Sequence, residues 1–338
     1  MNGGKNLEAG IIIAMNALPW LLLCLISVTL PALGSEPVRV PGQVPQTLPD
    51  GVSLAAVITD TRLPEISGLT ASRRHPGVFW MHNDSHDAQV LYAVDGEGHV
   101  RASLELPVAN IDWEDIASYE RDGRAFLLVA DTGDNGGLRQ ELVVHEVEEP
   151  QTLTDARAEL VRSIRFRWPD GPRDCEALTV DMATQSIWLV SKKRKPPELF
   201  RLPLFPDAPD QVQVAEKQGE LTGIVQPTAQ YLKDNPVYGK YRSQITAADI
   251  SADGQWFAVM SYLHVYLWPR HAAGWAAALA VDPQRLELPW MAQAEAMGFD
   301  PADQVLWISS EHLPAPLIRM DLEALTQAPV ATTDAVHP

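Results

Sequence analysis

Cysteine is almost missing. The chain of 338 residues holds two, Cys24 and Cys175. Cys24 sits in a strongly apolar leading run, so a processed chain keeps Cys175 alone and no internal disulfide can form. A lone cysteine with no Cys-His signature around it reads as a small semi-buried residue. No cysteine or histidine spacing suits zinc. Basic charge is also scarce. The 26 Lys+Arg stand against 44 Asp+Glu, a formal net charge of -18. That balance argues against nucleic acid as a partner, because phosphates need a basic face. It argues equally against electrostatic docking on anionic lipid. Little room is left for long helices, since 21 glycines and 27 prolines punctuate the chain. Neither a P-loop nor a Rossmann glycine fingerprint occurs. What is present is an ordinary globular share of apolar residues, 46%, which excludes global disorder.

The first residues read as an address. Lys5 precedes an apolar run over 17–28, and Pro31-Ala32-Leu33-Gly34 places small residues before a cleavage point after Gly34. Residues 1–34 are therefore expected to be a secretory signal peptide, and the protein periplasmic or secreted. No stable membrane insertion is expected after cleavage. A membrane anchor is the rival reading, disfavoured by Asn16 and Pro19. Pro37, Pro41, Pro45 and Pro49 make 35–50 a proline-rich linker. Residues 51–325 form the main domain, and 326–338 a C-terminal tail.

Five segments repeat one layout. A short strand opens each, at Glu65-Ile66-Ser67-Gly68-Leu69, Asp112-Trp113-Glu114-Asp115-Ile116, Asp174-Cys175-Glu176-Ala177-Leu178, Thr246-Ala247-Ala248-Asp249-Ile250 and Gln293-Ala294-Glu295-Ala296-Met297. A turn and a strongly apolar strand follow, such as Ser186-Ile187-Trp188-Leu189-Val190. Third strands read at 90–94 and 198–202, and fourth strands at 100–106, 160–166 and 211–216. Several short strands per repeat, at roughly 40–50 residues, predict a β-propeller. The expected class is all-β, a single propeller of five four-stranded blades with a sixth allowed. The strand Leu54–Ile58 is expected to complete the last blade and close the ring.

In a propeller, first-strand starts and second-strand ends share one face. Residues i and i+2 of a strand point the same way. Aligned rows then bring Glu65, Asp112, Asp174, Thr246 and Gln293 together, and Ser67, Glu114, Glu176, Ala248 and Glu295 beside them. Carboxylates crowded in a narrow channel repel unless a cation or protons neutralise them. Oxygen-only ligation suits Ca²⁺. The expected metal ligands are Glu65, Asp112, Glu114, Asp174, Glu176 and Glu295. His82, Asp84 and His312 are candidate catalytic bases, with His86 nearby. Asn83, Lys192 and Tyr262 are candidate substrate contacts, and Lys192–Lys195 is the one dense basic run. Asp131-Thr132-Gly133-Asp134-Asn135 reads either as an oxygen-rich calcium loop or as a plain turn.

These motifs, with His82-Asn83-Asp84-Ser85 and Ala130-Asp131-Thr132-Gly133-Asp134-Asn135, resemble exported bacterial β-propeller proteins of the esterase-like phytase, SdiA-regulated and gluconolactonase-like group. The likeness spans 54–322. It implies calcium in the channel and hydrolysis of phosphoesters or lactones. Glu114, Glu176 and Glu295 match the channel-acid position, and Ala248 departs from it. The expected function is a Ca²⁺-dependent hydrolase acting on a small-molecule or glycan ligand as a monomer. The alternative is a non-catalytic, calcium-stabilised propeller that binds a glycan, peptide or envelope protein.

Overall fold

In the computed structural model, the described residues are 46–85, 88–301 and 305–327. The expected signal peptide, most of the linker, His86 and nearly all of the tail lie outside them. Five sheets follow one another, each built on four antiparallel strands, with Ala156–Arg157 added parallel at the edge of blade I. Blade I is Ile66–Ala71, Val78–Asn83, Val90–Asp95 and Val100–Glu105. Blade II is Trp113–Arg121, Arg124–Asp131, Leu142–Glu148 and Leu160–Arg167. Blade III is Cys175–Asp181, Ser186–Ser191, Glu198–Pro203 and Glu216–Glu220. Blade IV is Ile245–Ile250, Trp256–Ser261, His264–Pro269 and Gln284–Glu287. Blade V is Ala294–Phe299, Val305–Ser310 and Ala315–Asp321, completed by Val52–Ile58 from the start of the domain.

The ring closes as expected. Val52–Ile58 pairs antiparallel with Ala315–Asp321, so chain start and end share one sheet. Each innermost strand packs against that of the next blade, and blade V returns to blade I. There are five blades and not six. The long stretch 206–244 between blades III and IV carries the outer strand of blade III, a six-residue helix Ala229–Asp234 and a turn of 3-10 helix at Gly239–Tyr241. The expected fourth strand over 211–216 splits. Gln213–Val214 pairs parallel with blade II, and the strand of blade III begins at Glu216. Glu216-Lys217-Gln218-Gly219-Glu220 has no apolar alternation, so its place was not legible from pattern.

The blade faces form five apolar clusters, each spanning one blade junction. Trp80, Trp113, Trp268 and Trp275 are among the largest fully buried side chains. Such aromatics supply the apolar area that joins wedge-shaped blades. The end of the linker is part of this packing. Leu48 is buried with Val52, and the Gln46 side chain bonds both the backbone N–H and the carbonyl of Trp290. No helix among the described residues is long and apolar enough to cross a membrane.

Candidate metal centre at the channel mouth

Every innermost strand carries an irregularity at the same place. The register slips between Ile66 and Gly68, Trp113 and Asp115, Cys175 and Ala177, Ile245 and Ala247, and Ala294 and Ala296. The residue left over in each case is Ser67, Glu114, Glu176, Thr246 or Glu295. A bulge leaves one residue out of the ladder and re-aims its side chain. Here the five re-aimed positions ring one mouth of the channel.

That register corrects the sequence alignment of blade IV. Thr246, not Ala248, is the counterpart of the channel acids, and Gln244 takes the place assigned to Thr246. The repeated alanines and the adjacent Asp249 in Thr246-Ala247-Ala248-Asp249 invited a two-residue shift. The five positions divide by side chain. Ser67 donates to the Glu114 carbonyl at 3.0 Å, and Thr246 donates to the Ala294 carbonyl at 2.8 Å. Each hydroxyl thus ties one blade to its neighbour. Glu114, Glu176 and Glu295 instead present carboxylates.

Two groups of acids could each hold a cation: Asp84, Asp112 and Glu114, and Glu114, Asp174 and Glu176. Within each, one ligand atom per residue lies within 4.8 Å of the others. Glu114 belongs to both and is 3% exposed. Its one hydrogen-bond donor among the described residues is the Ser67 hydroxyl, 3.5 Å from Oε2. Burial, then the charges of Asp84, Asp112 and Asp174, push the Glu114 carboxyl well above the usual range, with Lys192 pulling the other way. Burial also raises Asp112, helped by Asp174, and raises Asp84 to about 6. Gly133 caps this cluster. A Cβ there would lie 2.2 Å from Glu114 Oε1 and 2.4 Å from Asp112 Oδ2, so a larger residue would have to displace both carboxylates.

Two lysines partly neutralise the acids. Lys192 Nζ is bonded to Glu176, and Lys193 Nζ lies 2.7 Å from Asp174. Lys193 also donates to the Asn135 side chain at 2.7 Å. Lys192 was expected at the substrate, and it is found 9% exposed among the acids.

Glu295 stands apart from both groups. Tyr262 donates its hydroxyl to it, and Glu311 packs beside it. Gln293 donates to Glu311 at 2.5 Å and meets His312 Nε2 at 3.2 Å. Burial first, then Glu295, pushes the Glu311 carboxyl up. Glu311 is a mouth residue that the aligned rows missed, because it comes from the end of a second strand. The acidic ending Ser-Ser-Glu-His was its signal.

The other expected residues have separate places. Glu65 is exposed at the rim, its carbonyl accepting from the Asp84 N–H. Asn83 holds the loop before blade I, accepting from the Glu65 N–H and donating to the Arg62 carbonyl. His82 is fully buried, edge-on to Trp113 and directly beneath Gly68, where a Cβ would lie 2.3 Å from its Nε2. Burial lowers its pKa to about 4. The ring is enclosed and neutral, and the expected contact with a substrate at the mouth is not open to it. His312 remains exposed at the rim, with a positive φ of 66°. In the Asp131–Asn135 segment, Asp134 accepts from the backbone N–H groups of Leu138 and Arg139. Asp131 pairs with Arg139. These oxygens serve the loop itself, as in a turn. Cys175 is buried, its thiol pushed up to about 12.

No family model matches the chain, and no curated protein matches its sequence. Solved structures are similar in fold alone. Raptor of Chaetomium thermophilum is 11% identical, with a TM-score of 0.39, over 79% of this chain and 29% of its own. This chain thus spans less than a third of Raptor. The Cps50 (Swd1) β-propeller domain of Myceliophteria thermophila is 11% identical at a TM-score of 0.39, over 75% and 83%. Glutaminyl cyclase of Myxococcus xanthus is 12% identical at 0.45, over 80% and 96%. The molecule is a five-bladed β-propeller with an acidic channel mouth.

Proposed function

We propose that the channel mouth binds a divalent cation, Ca²⁺, and that the protein is a Ca²⁺-dependent hydrolase of phosphoesters or lactones in the cell envelope or outside the cell. The observation that carries this reading is Glu114, buried at 3% exposure and faced by further carboxylates with one weak donor. Burying such a charge without a partner costs several kcal/mol, and a cation removes the cost. The donor set is oxygen only, which suits Ca²⁺. Asp84, Asp112, Glu114, Asp174 and Glu176 would hold it. A bound ion supplies Lewis-acid polarisation and a more acidic water. His312, exposed at the rim and outside the ligand set, would accept the proton. Lys193, more than a third exposed, offers its charge to an anionic group on the substrate. Tyr262 lines the far side, its ring 5.9 Å from Lys192 Nζ.

The alternative, a binding propeller with a structural cation, draws support from Lys192 and Lys193. They already offset Glu176 and Asp174, and so leave fewer acids for an open metal.

The test is a thermal melt of residues 35–338 in EDTA, with Ca²⁺ then titrated back. A ligand that binds only the folded state raises Tm. A saturable rise in the wild type, lost in Glu114→Gln, is expected. Glu114→Gln should also melt higher than wild type without metal, because a repelled buried acid becomes a neutral amide. No calcium-dependent rise sinks the cation. A rise without turnover on phosphoester and lactone panels leaves the binding propeller.

A further inference from the structure

Blade II brings a hydroxyl, an imidazole and a carboxylate together on three neighbouring strands. His145 on the third strand stands directly opposite Ser163 on the fourth. Ser163 Oγ lies 2.9 Å from His145 Nδ1. The other ring nitrogen, Nε2, is 4.0 Å from Asp131 Oδ2, at the end of the second strand. Asp131 is 1% exposed, and Arg139 holds its other oxygen, Oδ1, at 2.7 Å. Oδ2 faces the imidazole at that 4.0 Å, as a charge beyond hydrogen-bond reach. Three neighbouring strands of one sheet hold the groups, with Asp131 diagonal to His145, whose direct partner is Val129; this is a rigid way to place reacting groups.

We propose that Ser163 is a nucleophile with His145 as its general base, forming a second site that takes carboxylic esters. Asp131 is a positioning residue for the imidazole. Four observations favour reactivity over a plain cross-strand contact. The nucleophile–base distance is already that of a hydrogen bond. His145 is largely buried, and that burial holds its pKa below the usual value, so the ring is neutral and free to accept a proton. Ser163 is partly exposed, and its neighbours Leu160 and Val161 are 38% and 42% exposed, an apolar flank for an acyl group. Finally, Leu160–Arg167 is the outermost strand at this point. Among the described residues no strand covers it until Phe166 meets Gln213, so alternate backbone N–H groups beside Ser163 point outward without a strand partner there. Val161 is itself the bulged residue of that strand, as expected where an edge is shaped for function.

The chemistry balances without a co-reactant other than water. Ser163 Oγ forms a bond to the acyl carbon, and its proton passes to His145 Nδ1. The imidazolium's Nε2–H faces Asp131. The carbon–oxygen bond to the leaving alcohol breaks, and that alkoxide takes the proton from Nδ1. Water then repeats the sequence on the acyl-serine, releasing the acid and restoring the hydroxyl. The site does not depend on the channel cation.

The experiment is labelling of the intact protein with a fluorophosphonate, mapped by peptide mass spectrometry. The probe forms a phosphorus–oxygen bond at serine and releases fluoride. A stoichiometric adduct on Ser163 in native protein, at least about 100-fold faster than in heat-denatured protein, is expected. Ser163→Ala should remove the adduct, and His145→Asn should slow it by at least about 100-fold while Tm shows both variants folded. Asp131→Asn separates positioning from structure. Removing that charge lowers the imidazole pKa, so the pH midpoint of labelling moves down as the plateau rate falls. Native protein that gains no adduct at Ser163, or gains it no faster than denatured protein, overturns the proposal. So does labelling that is unchanged in His145→Asn. Because the wild-type rate alone decides the first point, a variant that fails to fold does not protect the idea.

Discussion

Glu114 and Asp115 are neighbours on one strand, both buried carboxylates, and the channel treats them in opposite ways. Asp115 is satisfied by the protein. It accepts from the N–H groups of Ile116 and Leu178 at 2.8 Å and of Ala248 at 3.3 Å, so one side chain joins blades II, III and IV. Asp249 does the same one blade further on. It accepts from Ile250 and Phe299 at 2.8 Å and from the Thr179 hydroxyl at 3.1 Å. Glu114 has a single donor at 3.5 Å and three acids for company. Burial raises the pKa of all three carboxyls. What separates them is the donor count. A carboxylate fed by backbone amides is a structural knot, and one left without them is a place for a cation.

The sharpest way to break this comparison is Asp115→Ala. It orphans three buried N–H groups at once and should cost about 3 kcal/mol or more in denaturant unfolding. If the variant folds, its calcium response should be kept. A loss below about 1 kcal/mol would mean that these amides find other partners.

Lys192→Met acts on the other side of the comparison. It frees Glu176, lowers the metal-free Tm and should raise calcium affinity about tenfold, read by calorimetry. Unchanged affinity would detach Glu176 from the cation.

Proton competition comes next. The folded pKa of Asp84 is raised to about 6 from an ordinary 3.8. The folded state therefore holds this proton more tightly than the unfolded chain. Its contribution to stability is full below 3.8 and is lost as pH rises through 6. Calcium affinity should climb through that same window, and further above it as Glu114 gives up its proton. His82 and His264, both near 4, act in the opposite sense, since the unfolded chain takes up their protons first as pH falls. The useful quantity is thus the difference between wild type and Asp84→Asn, whose affinity should climb less steeply between pH 4 and 6.

The smallest effect is at Thr246. Thr246→Ala removes one inter-blade bond and should cost about 1 kcal/mol, with calcium affinity untouched. A change in affinity there would extend the cation site to blade IV.

Much of this was legible in the residues. The alternation of turns with apolar strands carried the blade count, and the early strand at 54–58 carried the closure. Glu114, Glu176 and Glu295 stood out because they recur after the same opening. Other features were hidden for physical reasons. Asn83 and His82 lie in a polar-looking strand end, but the strand pairing turns them inward, toward the Arg62–Glu65 loop and Trp113. Lys192 and Lys193 look like a solvated basic run, and only proximity to Glu176 and Asp174 shows them to be counterions. Glu311 lies 16 residues beyond Glu295 and meets it only because two strands of blade V are hairpin partners. The two-residue shift in blade IV arose because small residues pack equally well in either register on paper.

The sequence by itself determined the all-β repeat, the acidic character and the side of the ring where acids gather, because period-2 patterning and turn chemistry are local. Only the tertiary structure decided which carboxylates are fed by amides and which are not. That choice depends on bulges in five strands and on backbone N–H groups arriving from other blades, as far as 133 residues away. Hydrogen-bond partners at such separations are set by the closed ring, and no local pattern encodes them.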